Sequence, residues 1–217
     1  MPIAPAMKKT FVRHLFLPFL CGALLLAGCT VQSGRQSPAN LYDLGPLPTL
    51  GPAAATAPAA QRPIAVSVAE ITPAAWLDSP LMFYRLLYAD AQQPRAYAQQ
   101  RWIMQPADLF GQRLKARIVQ AGGVAVSAVD GASNLALLKI EADDFTHVFE
   151  SPEKSYGSIA LRATLYHGRT LVAQKNFAVR QPAASNDAAG AARALAGASD
   201  AAIADMLAWL ATQPLKR

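Results

Sequence analysis

Residues Ser158–Gln181 read "SIALRATLYHGRTLVAQKNFAVRQ", and this stretch decides the fold. Ile159, Leu161, Ala163 and Leu165 fall on one face, with Arg162, Thr164 and Tyr166 on the other. A period of two is the signature of a strand with one buried side. His167-Gly168-Arg169 supplies a turn, and the return strand carries Leu171, Ala173, Phe177 and Val179 in the same phase. Because a one-residue slip would turn every one of these side chains outward, the pattern fixes an antiparallel register.

Working outward, "LALLKIEA" (Leu135–Ala142) and "VAVSAV" (Val124–Val129) read as further strands, the second closed by Asp130-Gly131. "IAVSVAEI" (Ile64–Ile71) is β-branched and apolar, as a central strand requires. "NLYDLG" is a first short strand. "SPLMFYRLLYAD" reads as a strand or a short helix, with Pro80 and its two tyrosines favouring strand, and "RAYAQQRWIM" (Arg95–Met104) follows a Gln-Gln-Pro turn signal as its hairpin partner. Pro106 opens a helix at the position proline suits best, with Asp108 at its positive end. Leu109, Phe110, Leu114 and Ile118 form its apolar face, and Gly122-Gly123 stops it. A second helix is expected at about Asp200–Thr212, since the glycines and serine of "AAGAARALAGASD" weaken the segment before it. The expectation is a single α+β domain: a mixed, largely antiparallel β-sheet packed with two main α-helices.

The amino-terminal end carries a different signal. Lys8, Lys9 and Arg13 precede an apolar run, Leu15–Ala27, of about thirteen residues, too short for a bilayer-spanning helix of about twenty. A basic region followed by a short apolar one is a secretory signal peptide. It ends in Leu26-Ala27-Gly28-Cys29, the lipobox, where a thiol accepts diacylglycerol and small residues precede the cut. Residues 1–28 are thus the signal, 29–39 a flexible tether that lets the body stand off the membrane, and 40–213 the folded domain. Residues 46–63 form a Pro/Ala-rich loop within that domain. Cys29 is the lipid attachment, an N-acyl diacylglyceryl anchor, and several acyl chains hold a protein where one is marginal. Thr30, rather than aspartate, in the sorting position favours the outer membrane, facing the periplasm.

The net charge is +6, but Lys8, Lys9 and Arg13 leave with the signal, so the mature chain is near +3. That is too mild for nucleic acid, and no basic patch interleaves with aromatics. Cys21 also leaves and Cys29 is acylated, so no intrachain disulfide remains. Only His147 and His167 persist in the mature chain, and no metal-ligand spacing, P-loop or nucleophile elbow is present. Glu141, Asp143 and Asp144 are read as a solvated strand end. An enzyme has no positive support, and no cofactor is implied. The segment from Trp76 to Leu114 gathers Trp76, Tyr84, Arg85, Tyr88, Tyr97, Arg101 and Trp102. Aromatics with arginine are the composition of interface hot spots. Trp76, Tyr84, Arg85, Tyr88, Arg101 and Trp102 are accordingly the candidate partner-binding residues.

The lipobox, "LYDLGP", "IAVSVAEITPAAWLDSPLMFYRL" and "RWIMQPADLFGQRLKARI" together resemble the ABC-type transport auxiliary lipoproteins, including the third component of the paraquat-inducible lipid-transport system. "LLKIEADDFTHVFESPEKSYGSIALRATLYHGRTLVAQKNFAVRQPA" and a closing helix continue the resemblance over nearly all of the mature chain. The Pro/Ala-rich insertion after "LYDLGP" departs from it. The resemblance implies a non-enzymatic docking subunit on the outer membrane. Its partners would be a mammalian-cell-entry (MCE) domain protein and the associated ABC permease and ATPase, which move lipid between the two membranes. A homo-oligomer is compatible with this role. The competing expectations are a lipid carrier with its own apolar pocket and a lipoprotein hydrolase.

Overall fold

The structure, a computed structural model, describes residues 38–49, 63–132 and 134–215. Its organising element is β7 (Ala136–Ser151), a 16-residue strand. One edge of β7 pairs antiparallel with β8 (Lys154–His167), which pairs in turn with β9 (Thr170–Pro182). The alternation read from the sequence sets this meander: Ile159, Leu161, Ala163 and Leu165 are all buried, opposite Val179, Phe177, Lys175 and Ala173. Leu171 departs from its expected phase. A register shift between Leu165 and Tyr166 sets it opposite Tyr166, where it is 58% exposed.

The other edge of β7 is shared by three short strands, all parallel to it. β2 (Ala65–Val68) pairs with Ala136–Leu138, β3 (Thr72–Pro73) with Glu141–Ala142, and β4 (Leu81–Leu86) with His147–Phe149. Beyond β2 lies β6 (Val124–Ser127), also parallel. Beyond β4 lie antiparallel β5 (Asp90–Trp102) and then β1 (Asn40–Tyr42), parallel to the end of β5. The sheet therefore divides along one edge into two wings, giving the mixed α+β architecture expected.

Helix α1 (Pro106–Gln120) starts on its proline, carries Asp108 in the first turn and Arg117 in the last, and buries Leu109, Phe110, Leu114 and Ile118. Gly122, at φ +79°, turns the chain out of it into β6. Helix α2 (Ala188–Ala211) is 24 residues long, so it begins about twelve residues earlier than propensity suggests. Asp187 caps it, accepting from the Gly190 N–H at 2.7 Å. Its small residues, among them Ala191, Ala194 and Ala198, are buried where the helix meets β8 and β9. Tertiary packing overrides the low intrinsic propensity of that half. The fit is closest at Gly157 of β8, where a Cβ would lie 2.8 Å from the Leu195 nitrogen and 2.9 Å from the Ala194 carbonyl carbon.

Three further expectations are corrected. Glu141, Asp143 and Asp144 are not at a strand end: β7 runs on past them through a bulge between Ala142 and Asp144. The bulge turns Asp144 to accept from Thr146 Oγ1 at 2.8 Å and Ser158 Oγ at 2.7 Å, while Arg162 sits 3.1 Å from Glu141 and 3.7 Å from Asp143. Gln92-Gln93-Pro94 is not the hairpin turn. It lies within β5, and the connection is Leu87–Ala89. Pro94 is tolerated because β5 pairs on its second edge only at Gln100–Trp102, so a missing N–H costs no ladder bond there. Finally, strand pairing around β2 is limited to Ala65–Val68, and that of β6 ends at Ser127, where a short 3-10 turn (Ala128–Asp130) follows. The expected signal, Cys29, Thr30, the tether up to Ser37 and residues 50–62 of the Pro/Ala-rich stretch lie outside the described residues.

One polar cluster joins the two helices. Arg113 is 7% exposed and grips Asp200 through two bonds, Nε to Oδ1 at 2.8 Å and Nη2 to Oδ2 at 2.7 Å. Arg117 adds Nη2 to Oδ1 at 3.2 Å. The same arginines hold the segment after β1: Arg113 donates to the Gly45 carbonyl at 3.1 Å and Arg117 to that of Pro48 at 2.9 Å. Burial alone would raise the Asp200 pKa, but the hydrogen bonds and charges of Arg113 and Arg117 outweigh it and hold the carboxyl below its ordinary range.

Candidate partner surface and the aromatic hairpin

The candidate residues converge on the β4–β5 hairpin, but the two faces of β4 separate them. On one side Trp76, from the 3-10 turn Ala75–Leu77, meets Phe83 edge-on at 5.4 Å between ring centroids. The Arg85 guanidinium lies 5.2 Å from the Trp76 ring centroid and donates to the Ala91 carbonyl at 3.1 Å. Trp76, Phe83 and Arg85 are half-buried, so each keeps surface available to a partner. A guanidinium over an indole is held flat and partly desolvated, which pre-organises it for stacking or for a carboxylate.

On the other side Tyr84 joins an aromatic cluster around His147. Tyr84 and Tyr97 lie 4.8 Å apart, His147 and Phe149 4.3 Å, and Tyr84 and Phe149 6.0 Å. His147 is fully buried, with Nδ1 2.7 Å from the Tyr97 hydroxyl and Nε2 without a hydrogen-bond partner. Burial lowers the His147 pKa to about 4, a shift that the Asp187 charge only partly opposes. Burial first, and then Tyr84, raise that of Tyr97. Both groups are therefore neutral near pH 7. Spacing along the sequence had no means of pairing Tyr97 with a histidine 50 positions away.

His147 gives the protein a defined acid sensitivity. Its ordinary pKa is 6.5 and its folded value about 4, so the unfolded chain binds the extra proton first. Stability is fully present above about pH 6.5 and falls as the pH drops toward 4, by on the order of 3 kcal/mol in all. Urea unfolding across that range should show this loss, and His147→Phe should flatten it. An unchanged slope in the variant would assign the loss to other groups.

The remaining candidates behave differently from one another. Trp102 is 1% exposed and packs edge-on to Phe145 at 5.6 Å between centroids, so it is a core residue and not a surface one. Arg101 folds back on its own strand, donating to the carbonyls of Tyr97 at 2.6 Å and Gln100 at 2.8 Å. Tyr88, in the hairpin connection, is exposed. Phe83, which sequence reading did not single out, completes the Trp76–Arg85 stack. Among the described residues no group of three His, Cys, Asp or Glu could hold a metal. A groove of about 400 Å³ mixes Ile71 and Met104 with Glu70, Asp108, Gln112 and Lys115, and is not an apolar acyl-chain pocket. Helix α2 is long and apolar enough to cross a membrane, but it buries its apolar side chains against β8 and β9.

This two-winged α+β body has counterparts among solved structures. A crystal structure of a protein from Xanthomonas campestris, described under the family name DUF330, matches with a TM-score of 0.64 and 20% identity, covering 79% of this chain and 95% of the other. A crystal structure described as an uncharacterized protein matches at 0.62 and 14% identity, covering 80% of this chain and 99% of that one. At those identities the likeness is one of fold. The family model of the ABC-type transport auxiliary lipoprotein component matches residues 46–207, and the chain belongs to that family. No curated protein matches the sequence.

Proposed function

We propose that this protein is a non-enzymatic docking subunit of an ABC–MCE lipid-transport system, held on the periplasmic face of the outer membrane through Cys29. Family membership gives association with ABC transport and a lipoprotein of the cell envelope. The observation that carries the docking role is the half-exposed stack of Trp76, Phe83 and Arg85 on β4. A buried-edge aromatic with an arginine laid over it is the kind of anchor around which protein interfaces concentrate their energy. The MCE protein is the partner this reading assigns to it, with Arg85 stacking on or pairing with the partner surface. Of the original candidates, Trp76 and Arg85 keep this role, whereas Trp102, Arg101 and Tyr84 serve the fold.

Co-purification after crosslinking in the native envelope tests this. The wild-type protein should recover an MCE subunit, and Trp76→Ala/Arg85→Glu should lower the yield about tenfold or more, in line with loss of a hot spot. Unfolding of the purified variant separates lost binding from lost folding. Recovery of no MCE or permease subunit by the wild-type protein would sink the reading. Separately, Cys29→Ala should leave the fold intact and release the protein from the membrane fraction. A variant that stayed with the outer membrane would remove the lipid-anchor assignment.

A further inference from the structure

The β4–β5 connection, Leu87-Tyr88-Ala89, presents an apolar tip on a rigid base. The Leu87 N–H donates to the Phe149 carbonyl at 2.9 Å, and that of Ala89 to Leu86 at 3.1 Å. Leu87 is nevertheless 42% exposed and Tyr88 51% exposed. Neither is used by the aromatic stack of β4. Arg95 stands behind the tip, half-buried, while Arg85 is engaged over Trp76. Asp90, exposed beside the tip, accepts from the Gln92 N–H at 2.9 Å. The neighbouring Pro152-Glu153 turn reaches about the same level. In that turn Glu150 pairs with Lys154, and Glu153 accepts from the uncharged Ser151 hydroxyl at 3.1 Å. Leucine and tyrosine in front with an arginine behind is an arrangement that suits a bilayer interface, where an aromatic ring sits at headgroup level and a guanidinium reaches the phosphates.

Other exposed apolar residues, such as Val129 and Leu171, lie elsewhere on the molecule, and scattered ones need no explanation. The direction of the chain singles out the tip. β1 runs parallel to β5, with Asn40 opposite Gln100. β5 itself runs away from the tip, so the chain enters β1 from the tip side. The register folds β5 onto a short length of β4, with Arg101 opposite Leu81 and Asp90 opposite Leu86, so Gln100 stands only about 17 Å from the tip. Cys29 lies ten residues before Ala39. Such a segment spans about 33–36 Å only when fully extended, and about 17 Å on average as a flexible coil. The chain enters the body heading away from the tip, so an anchor within that length favours the tip, among the exposed apolar residues, as the part that meets the bilayer.

We infer that the β4–β5 tip is a membrane-contact element: Leu87 and Tyr88 insert at the phospholipid interface and fix the tilt of the body above it. The inference rests on acylation of Cys29, and it assigns Tyr88 to lipid rather than to the protein partner. The test uses the full lipidated protein in phosphatidylethanolamine/phosphatidylglycerol vesicles, with a nitroxide attached to Leu87→Cys or, at the opposite end of the sheet, to Arg169→Cys. Cys29 is acylated and adds no competing thiol. The probe at 87 should be shielded from a water-soluble nickel relaxant at least several-fold more than the probe at 169, and more accessible to oxygen. Flotation of the same samples reads the anchor independently. Protein that floats with the vesicles but shows equal nickel access at both positions overturns the tip contact and leaves the anchor standing. Protein that does not float overturns both.

Discussion

Asp200→Ala destabilises the protein by about 3 kcal/mol or more, the largest single effect expected of a polar substitution here. Its two arginine partners explain the size. Arg113 is almost wholly enclosed and has both carboxylate oxygens as partners. With the carboxylate gone, the guanidinium keeps only the Gly45 carbonyl. Breaking a buried pair on one side costs about 3–5 kcal/mol because a charge is left uncompensated, whereas replacing the whole group with apolar side chains can be neutral. Arg113→Met/Asp200→Leu should therefore recover much of what Asp200→Ala loses in urea unfolding. Additive losses would instead mean that the pair itself, and not the stranded charge, supplies the stability. The pH sign follows from the lowered Asp200 pKa. Its contribution is intact above the ordinary carboxylate range and is lost as the pH falls through it, below about pH 4. That window lies beneath the one set by His147.

Substitution of Gly157 should be nearly as damaging, through sterics alone. Its Cα faces helix backbone, not the yielding end of a side chain, at Ala194 and Leu195. Gly157→Ala must push α2 off β8 or bend the strand, at a cost of about 1–3 kcal/mol, and Gly157→Val should cost more. His147 lies opposite Gly157 in the neighbouring strand, so displacement of the helix should also loosen the aromatic cluster. Thermal unfolding measures the first effect. Hydrogen exchange of the amides of α2 reads the second, and unchanged exchange in Gly157→Val would mean that the helix is not seated on the glycine.

The parts legible in the sequence are those whose causes are local. Ile159 to Leu165 declare their strand by alternation, and Pro106 with Gly122 bracket α1. The parts that were not legible depend on partners far along the chain. Alternation fails at Asp143-Asp144 because a bulge lies there, so β7 looked half its length. The alanines and glycines before Asp200 read as a weak helix, yet small side chains are what a helix needs to lie flat on β8 and β9. Trp102 and Arg85 looked alike as interface residues. Only the position of their strands sends one into the core against Phe145 and leaves the other beside Trp76. Arg113 and Asp200, 87 positions apart, had no shared signal.

The division of one edge of β7 among β2, β3 and β4 also bears on how the chain reaches this state. β7, β8, β9 and α2 are consecutive, so a subassembly from Ala136 to Ala211 can form through contacts between near neighbours. β4 can pair with β5 and β2 with β6 as the chain is made, but the edges of β2 and β4 that join β7 stay open until β7 exists. Since pairings distant in sequence form slowly, the meander should condense first and the two wings assemble onto it. Until then, apolar Ala65–Val68 and Leu81–Leu86 each keep one open edge, which exposes them to mispairing while the chain is incomplete. Pulse-labelled hydrogen exchange during refolding should protect β8 and β9 before β2 and β4. Equal protection times would mean that the wings and the meander form together.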